Sequence, residues 1–102
     1  MTQIRWLPRA VKERFAQLEY IAEDNPQAAF DQDEQIKSIV KLLAGNKEMG
    51  RPGRVKNTRE LIIAGTPFIA VYRIKPKRIE IVRFLHGAQK WPKKSKMNDG
   101  GQ

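Results

Sequence analysis

An α+β fold in the order β-α-α-β-β-β is what this sequence predicts, and three observations predict it. Two helical stripes of apolar residues precede Gly45, three β-type runs follow it, and the links between those runs are too short for a crossover helix. A chain of 102 residues with 40% hydrophobic content suits one domain around one core. The absence of cysteine excludes disulfides, Cys-ligated zinc and thiol catalysis, and fits a reducing compartment. No apolar run approaches the ~18 residues of a membrane span. The charged opening MTQIRWLPRAVKERF lacks a signal-peptide core. A cytoplasmic protein without a membrane partner is expected.

The elements follow in order. Residues 4–7 are short and apolar around Arg5 and suit a brief strand. Pro8 suits the first turn of a helix, its φ being fixed and its N–H absent. Val11, Phe15, Leu18 and Ala22 then recur at helical spacing, with Lys12, Glu13, Glu19 and Glu23 largely outside the stripe. Asp24-Asn25-Pro26 breaks this helix and starts another, Asn25 capping it. Ala29, Ile36, Ile39, Val40 and Leu43 form the second stripe, and Gly45 ends it. So tight a connection gives an antiparallel helical hairpin. Residues 46–56, NKEMGRPGRVK, read as a loop. Three strands follow: Leu61-Ile62-Ile63, Phe68 to Ile74, and Arg78 to His86, with turns at Ala64-Gly65-Thr66-Pro67 and Lys75-Pro76-Lys77. They form an antiparallel meander, and the hairpin covers one of its faces. Residues 1–92 make the domain; 93–102, with one apolar residue, read as a disordered basic tail.

Charge is lopsided. Residues 1–50 hold seven basic and eight acidic side chains, whereas residues 51–102 hold thirteen and three. Such asymmetry points to a polyanionic partner. If the last hairpin is regular, Arg73 opposes Glu80 and Ile74 opposes Ile79. Ile69, Val71, Arg73, Glu80, Val82, Phe84 and His86 then share the open face, while Ala70, Tyr72, Ile74, Ile79 and Ile81 meet the helices. A mostly apolar open face calls for a protein to cover it. Arg51, Arg54, Lys56 and Arg59, spaced by Gly and Pro, form a basic segment able to reach phosphates. MGRPGR lacks the Walker spacing and its Lys-Ser/Thr ending. His86 is the only histidine, with no second His and no Cys to complete a metal site, so neither metal nor cofactor is expected. Glu60 and Glu80 are expected to pair with Arg73 or Arg83. Trp91 either stacks on a base or, more simply, packs back on the body.

Taken together, the proline-led first helix, YIAEDNPQAA, MGRPGR followed by TREL, GTPFIAVYRI and IEIVRFLHGAQKWP resemble the RelE/ParE superfamily of bacterial type II toxin–antitoxin systems across residues 3–92. The resemblance implies a growth-arresting toxin silenced by a cognate antitoxin, whose acidic segment folds on binding. The superfamily splits into gyrase inhibitors of ParE type and ribosome-dependent mRNA endoribonucleases of RelE type. Ribonuclease members commonly carry an arginine just before the V-Y of the central strand. Aligned on Val71-Tyr72, that position is Ile69 here, which favours the ParE branch and a non-enzymatic action. On that branch Arg73, Arg83 and the stretch from His86 to Trp91 are the gyrase contacts. On the alternative, Arg51, Arg54, Lys56, Arg59 or Arg83 would hold phosphate and His86 would act as acid or base.

Overall fold

The computed structural model describes residues 2–87, 89, 91 and 92; the expected tail, 93–102, lies outside them. Strand β1 (Gln3–Trp6) leads into helix α1 (Pro8–Asp24) and then α2 (Pro26–Lys41), which ends in a 3-10 turn at Leu42–Ala44. Strands β2 (Arg51–Pro52), β3 (Arg59–Ile62), β4 (Phe68–Ile74) and β5 (Arg78–His86) complete the chain. The expected helix boundaries hold for physical reasons. Pro8 and Pro26 open the helices, and the Asn25 side chain accepts the Ala28 N–H at 3.0 Å.

The sheet order is β1-β5-β4-β3-β2. It departs from the expected meander in two respects. β1 pairs with β5 in parallel, so the sheet is mixed: the β4–β5 hairpin leaves the outer edge of β5 bare, and β1 fills it from Arg78 to Ile81. Within the expected loop, Arg51 and Pro52 form a two-residue strand against Glu60 and Arg59. Asn57, at φ 67°, turns the chain between them, a conformation that asparagine tolerates.

The register Arg73↔Glu80 and Ile74↔Ile79 is as expected. Further along, a β-bulge intervenes: Tyr72 faces Ile81 while Val71 faces Arg83, leaving Val82 unmatched. The extra residue moves Phe84 and His86 off the open face and puts Arg83 and Leu85 on it, correcting the regular alternation expected there. Phe84 instead joins Phe68, Ala70, Tyr72, Ile79 and Ile81 under Ala10, Ile36, Val40 and Leu43 of the helical layer. Ile74, expected beneath the helices, lies exposed near the strand end.

Helix α1 also sits rotated relative to its apparent stripe. Ala10 is fully buried, with Leu18 and Ile21 partly so, while Phe15 is 65% exposed and Val11 48%. The small Ala10 allows close approach to the sheet. Arg14 occupies the seam between helices, its Nε on Asp33 at 2.9 Å and its guanidinium 4.6 Å from the Trp6 ring centroid. A charged residue therefore holds a position where an apolar pattern would be sought.

Tyr72, fully buried, donates its O–H to the Lys47 carbonyl at 2.8 Å and accepts the Gly50 N–H at 2.9 Å. Gly50 is obligatory, since a Cβ there would stand 2.7 Å from the Tyr72 ring and 2.9 Å from the Glu60 carbonyl. Denaturant unfolding should rank three variants. Phe84→Ala costs about 3–5 kcal/mol by opening the core, and Tyr72→Phe about 1–2 kcal/mol by orphaning the Gly50 N–H. Phe15→Ala costs less than about 1 kcal/mol; a loss comparable to that of Phe84→Ala would refute the rotated placement of α1.

Candidate functional site

The open face of the sheet is neither bare nor mainly apolar. Ile69, Val71 and Leu85 form a second small core there, with Val82 and Trp91 packed against it. Trp91 returns to the body, as the simpler expectation had it. The Arg83 guanidinium lies 4.7 Å from the Trp91 ring centroid, and Arg54 Nη1 donates to the Trp91 carbonyl at 3.3 Å. The tryptophan is thus strapped across the sheet from two sides.

Arg83 does more than stack. β1 stops at Trp6, so beyond Ile81 strand β5 becomes an edge. Glu13 of α1 reaches that edge and accepts the Phe84 N–H at 2.8 Å and Arg83 Nε at 2.9 Å. The partner of Arg83 is therefore Glu13, not Glu60 or Glu80.

Those two glutamates organise the arginines. Glu80 accepts Arg73 Nε and Arg78 Nε, each at 2.7 Å, on separate oxygens. The two guanidinium groups hold its carboxyl below the usual carboxylate range. Glu60, 2% exposed, accepts the Arg54 backbone N–H at 3.0 Å, the Arg54 guanidinium at 3.1 Å and Arg51 Nη2 at 3.0 Å. Burial pushes the Glu60 carboxyl up, but the Arg54 amide and the Arg54 and Arg51 side chains together outweigh it, and the net shift is downward. Arg73 aside, the pairings differ from those expected. Arg78 was missed, although its position two residues from Glu80 on one strand puts both on the same face.

The remaining candidates fall elsewhere. Arg59 faces the helical side, its Nε on the Gly50 carbonyl at 2.8 Å and its Nη2 on the Glu48 carbonyl at 3.2 Å. It meets Arg73 and Lys75 at a shallow cleft of about 500 Å³ at the end of the sheet. Lys56 stands exposed in the β2–β3 turn. His86 ends β5 opposite Phe68, its ring edge-on at 6.3 Å, and its N–H donates to Gln89 Oε1 at 3.1 Å. From the register, His86 and Arg59 are four residues and two strand spacings apart, roughly 16 Å. Arg51, Arg54, Arg73 and Arg83 thus share one face with Trp91, and the structure separates His86 from them. Among the described residues no cluster of His, Cys, Asp and Glu could hold a metal ion, and no helix is long and apolar enough to cross a membrane.

Known proteins resemble this chain in sequence and fold. The family model described as the ParE toxin of the type II toxin–antitoxin system parDE matches residues 4–91. A Sinorhizobium fredii protein, Y4kP, named as a candidate toxin, is 41% identical over 90 residues, covering 88% of this chain and 93% of its own. A chain of the chromosomal ParDE system from P. aeruginosa superposes with a TM-score of 0.77 at 29% identity, over 84% of this chain and 96% of that one. YafQ from E. coli, at 14% identity and a TM-score of 0.56 over 86% and 96% of the two chains, shares the fold.

The held carboxylates make stability depend on pH with a definite sign. A carboxyl whose folded pKa lies below its unfolded value binds fewer protons when folded, so stability gained above about pH 4.3 is lost as pH falls through the folded pKa. Glu60→Gln should therefore be less stable than the parent at pH 7, and the gap should narrow as denaturation is repeated towards pH 3. A gap independent of pH would show that the Glu60 charge contributes nothing.

Proposed function

This chain belongs to the ParE family of toxins from type II toxin–antitoxin systems, and from that premise we propose that it arrests growth by inhibiting DNA gyrase. The observation that carries the reading is Ile69. At the position where the ribonuclease branch commonly places an arginine, Ile69 is 7% exposed and packed with Val71 and Leu85 beneath Trp91. A cation there would be buried in an apolar cluster, at a prohibitive desolvation cost. The dispersal of His86 and Arg59 supports the same side, since proton transfer and phosphate stabilisation must meet at one scissile bond. A surface that binds a protein target through arginines and a tryptophan needs no such convergence.

The partner that silences a toxin of this family is a protein antitoxin. Exposed apolar groups offer it one place on α1, away from the arginine face, and another at the β3 edge of that face, where Arg51 and Glu60 join the lining. Val11 and Phe15, with Leu18 and the Arg14–Asp33 pair, line a cleft of about 250 Å³ on α1. Leu42, Met49 and Ile62 line another of about 440 Å³ beside β3. Apolar burial there would hold the antitoxin, while the basic half of the chain steers its acidic segment in.

Two assays test this reading. Purified toxin should inhibit gyrase supercoiling and leave cell-free translation of ready-made messenger RNA intact; message cut on ribosomes with supercoiling untouched would reverse the assignment. Phe15→Asp should weaken antitoxin binding at least tenfold in calorimetry without lowering the melting temperature or the toxicity of the free protein. Unchanged affinity would move the antitoxin off α1.

A further inference from the structure

At the cationic end of the open face the guanidinium groups outnumber the carboxylate that holds them. Glu80 is nearly buried, its side chain 6% exposed, and it divides its two oxygens between Arg73 and Arg78. Each arginine is gripped through Nε alone, and among the described residues no Nη of either has a hydrogen-bond partner. Both side chains remain 44% exposed. On the other side of Glu80, Arg5 of β1 lies in register with it and on the same face.

Glu60 gathers Arg51 and Arg54 by a different grip: Arg51 is held through Nη2, while Arg54 places Nε and Nη2 on the carboxylate and Nη1 on the Trp91 carbonyl. The two side chains are 51% and 41% exposed around a carboxylate that is 1% exposed. The two glutamates stand two residues and two strand spacings apart, roughly 12 Å. Each centre thus keeps one carboxylate inside and presents more than one guanidinium outside. The arginines have already lost side-chain freedom, so an incoming anion meets forks that are fixed in advance.

The shape of the face selects among polyanions. Recognition of single-stranded nucleic acid relies on aromatic rings open to stacking. Among the described residues the one aromatic side chain on this face is Trp91, and Arg83 already lies over its ring. An apolar protein surface would find Ile69, Val71 and Leu85 already covered, with Ile62 exposed at the β3 edge. What remains is a flat array of guanidinium groups, suited to backbone phosphates and indifferent to bases.

We propose that this face docks on the phosphate backbone of duplex DNA, with Arg5, Arg73 and Arg78 at one phosphate and Arg51 and Arg54 at another. With ~3.4 Å of rise and a turn of roughly 34–36° per nucleotide, phosphates two nucleotides apart along one strand of a duplex stand roughly 12 Å apart, which matches the two centres. The docking goes beyond gyrase inhibition and does not depend on it. DNA binding without inhibition of gyrase, or inhibition without DNA binding, tells the two apart.

The test is fluorescence anisotropy with the full chain and labelled 20-base-pair duplexes of two unrelated sequences, between 50 and 200 mM salt. Both duplexes should bind alike, with a log-affinity against log-salt slope between about −3 and −5. Arg5→Gln/Arg73→Gln leaves Arg78 on Glu80; it should bind at least tenfold more weakly at 50 mM salt and flatten the slope by about 2. If that double variant melts early, Arg5→Gln alone should flatten the slope by about 1. Absence of binding, or an unchanged slope in a folded variant, overturns the proposal. So does tighter binding of single-stranded RNA of equal length, or displacement of the duplex by polyglutamate at matched charge.

Discussion

The bulge at Val82 fixes what each face of this molecule carries. Up to Ile81, strand β5 has neighbours on both sides and alternates regularly, sending Ile79 and Ile81 to the helices and Glu80 to the open face. One inserted residue then inverts the sequence parity. Phe84 enters the main core against Phe68, with ring centroids 5.1 Å apart, and Leu85 enters the second core with Ile69 and Val71. The same insertion frees the Phe84 N–H from the ladder just where β1 has ended, and Glu13 takes it. An edge strand that would otherwise expose its backbone is thereby covered by a helix side chain. Arg83, turned outward beside the bulge, joins that carboxylate to Trp91.

Electrostatics on the sheet follows from the burial of two carboxylates. Removing an ionised glutamate from water is costly, and only several well-placed donors offset it. Glu60 has an amide and two guanidinium groups, and Glu80 has two guanidinium groups. Neither could lose all its partners without leaving an uncompensated charge. The arrangement therefore ties the arginines to carboxylates carried on strands, where a rigid backbone sets the spacing of the two centres, although Arg54 itself stays in the β2–β3 loop. The side chains of Arg51, on β2, and Arg54, in the loop, are drawn to Glu60 on β3, and Arg59 is turned to the other side by two backbone carbonyls.

Much of this was legible in the chain. Period 3.6 on α2 and the Asn25-Pro26 cap located the second helix and its buried residues, and the hairpin register at Arg73 and Glu80 was correct. The failures share one cause, which is that periodicity cannot register a local change of phase. A bulge leaves no mark in a run such as IEIVRFLH, where either parity puts apolar residues inward. On α1 the apolar arc is wide enough to admit two rotations, and Arg14 occupies the true seam, so the stripe points through Phe15 where the buried side is that of Ala10. Parallel pairing of β1 was also beyond the local pattern, being decided by which sheet edge the finished hairpins leave open.

The two faces now have separate chemistries, and that separation bears on how a toxin of this kind can be silenced. Exposed apolar side chains lie on α1, with Ile62 at the β3 edge of the sheet, whereas exposed guanidinium groups cluster on the sheet face that the helices leave open. A folded body has no need of so many arginines: each centre exceeds the charge of its glutamate, and the surplus repels itself within the compact state. Such a surplus persists more readily where an anion relieves it. An antitoxin held by the apolar clefts could reach the arginine face only with an extended acidic segment passing round the sheet edge. The edge at β3 is the open route, since β2 pairs with Arg59 and Glu60 alone and leaves Ile62 55% exposed. Silencing would then need one partner with two chemistries, an apolar anchor for affinity and an acidic extension that occupies the site of the target.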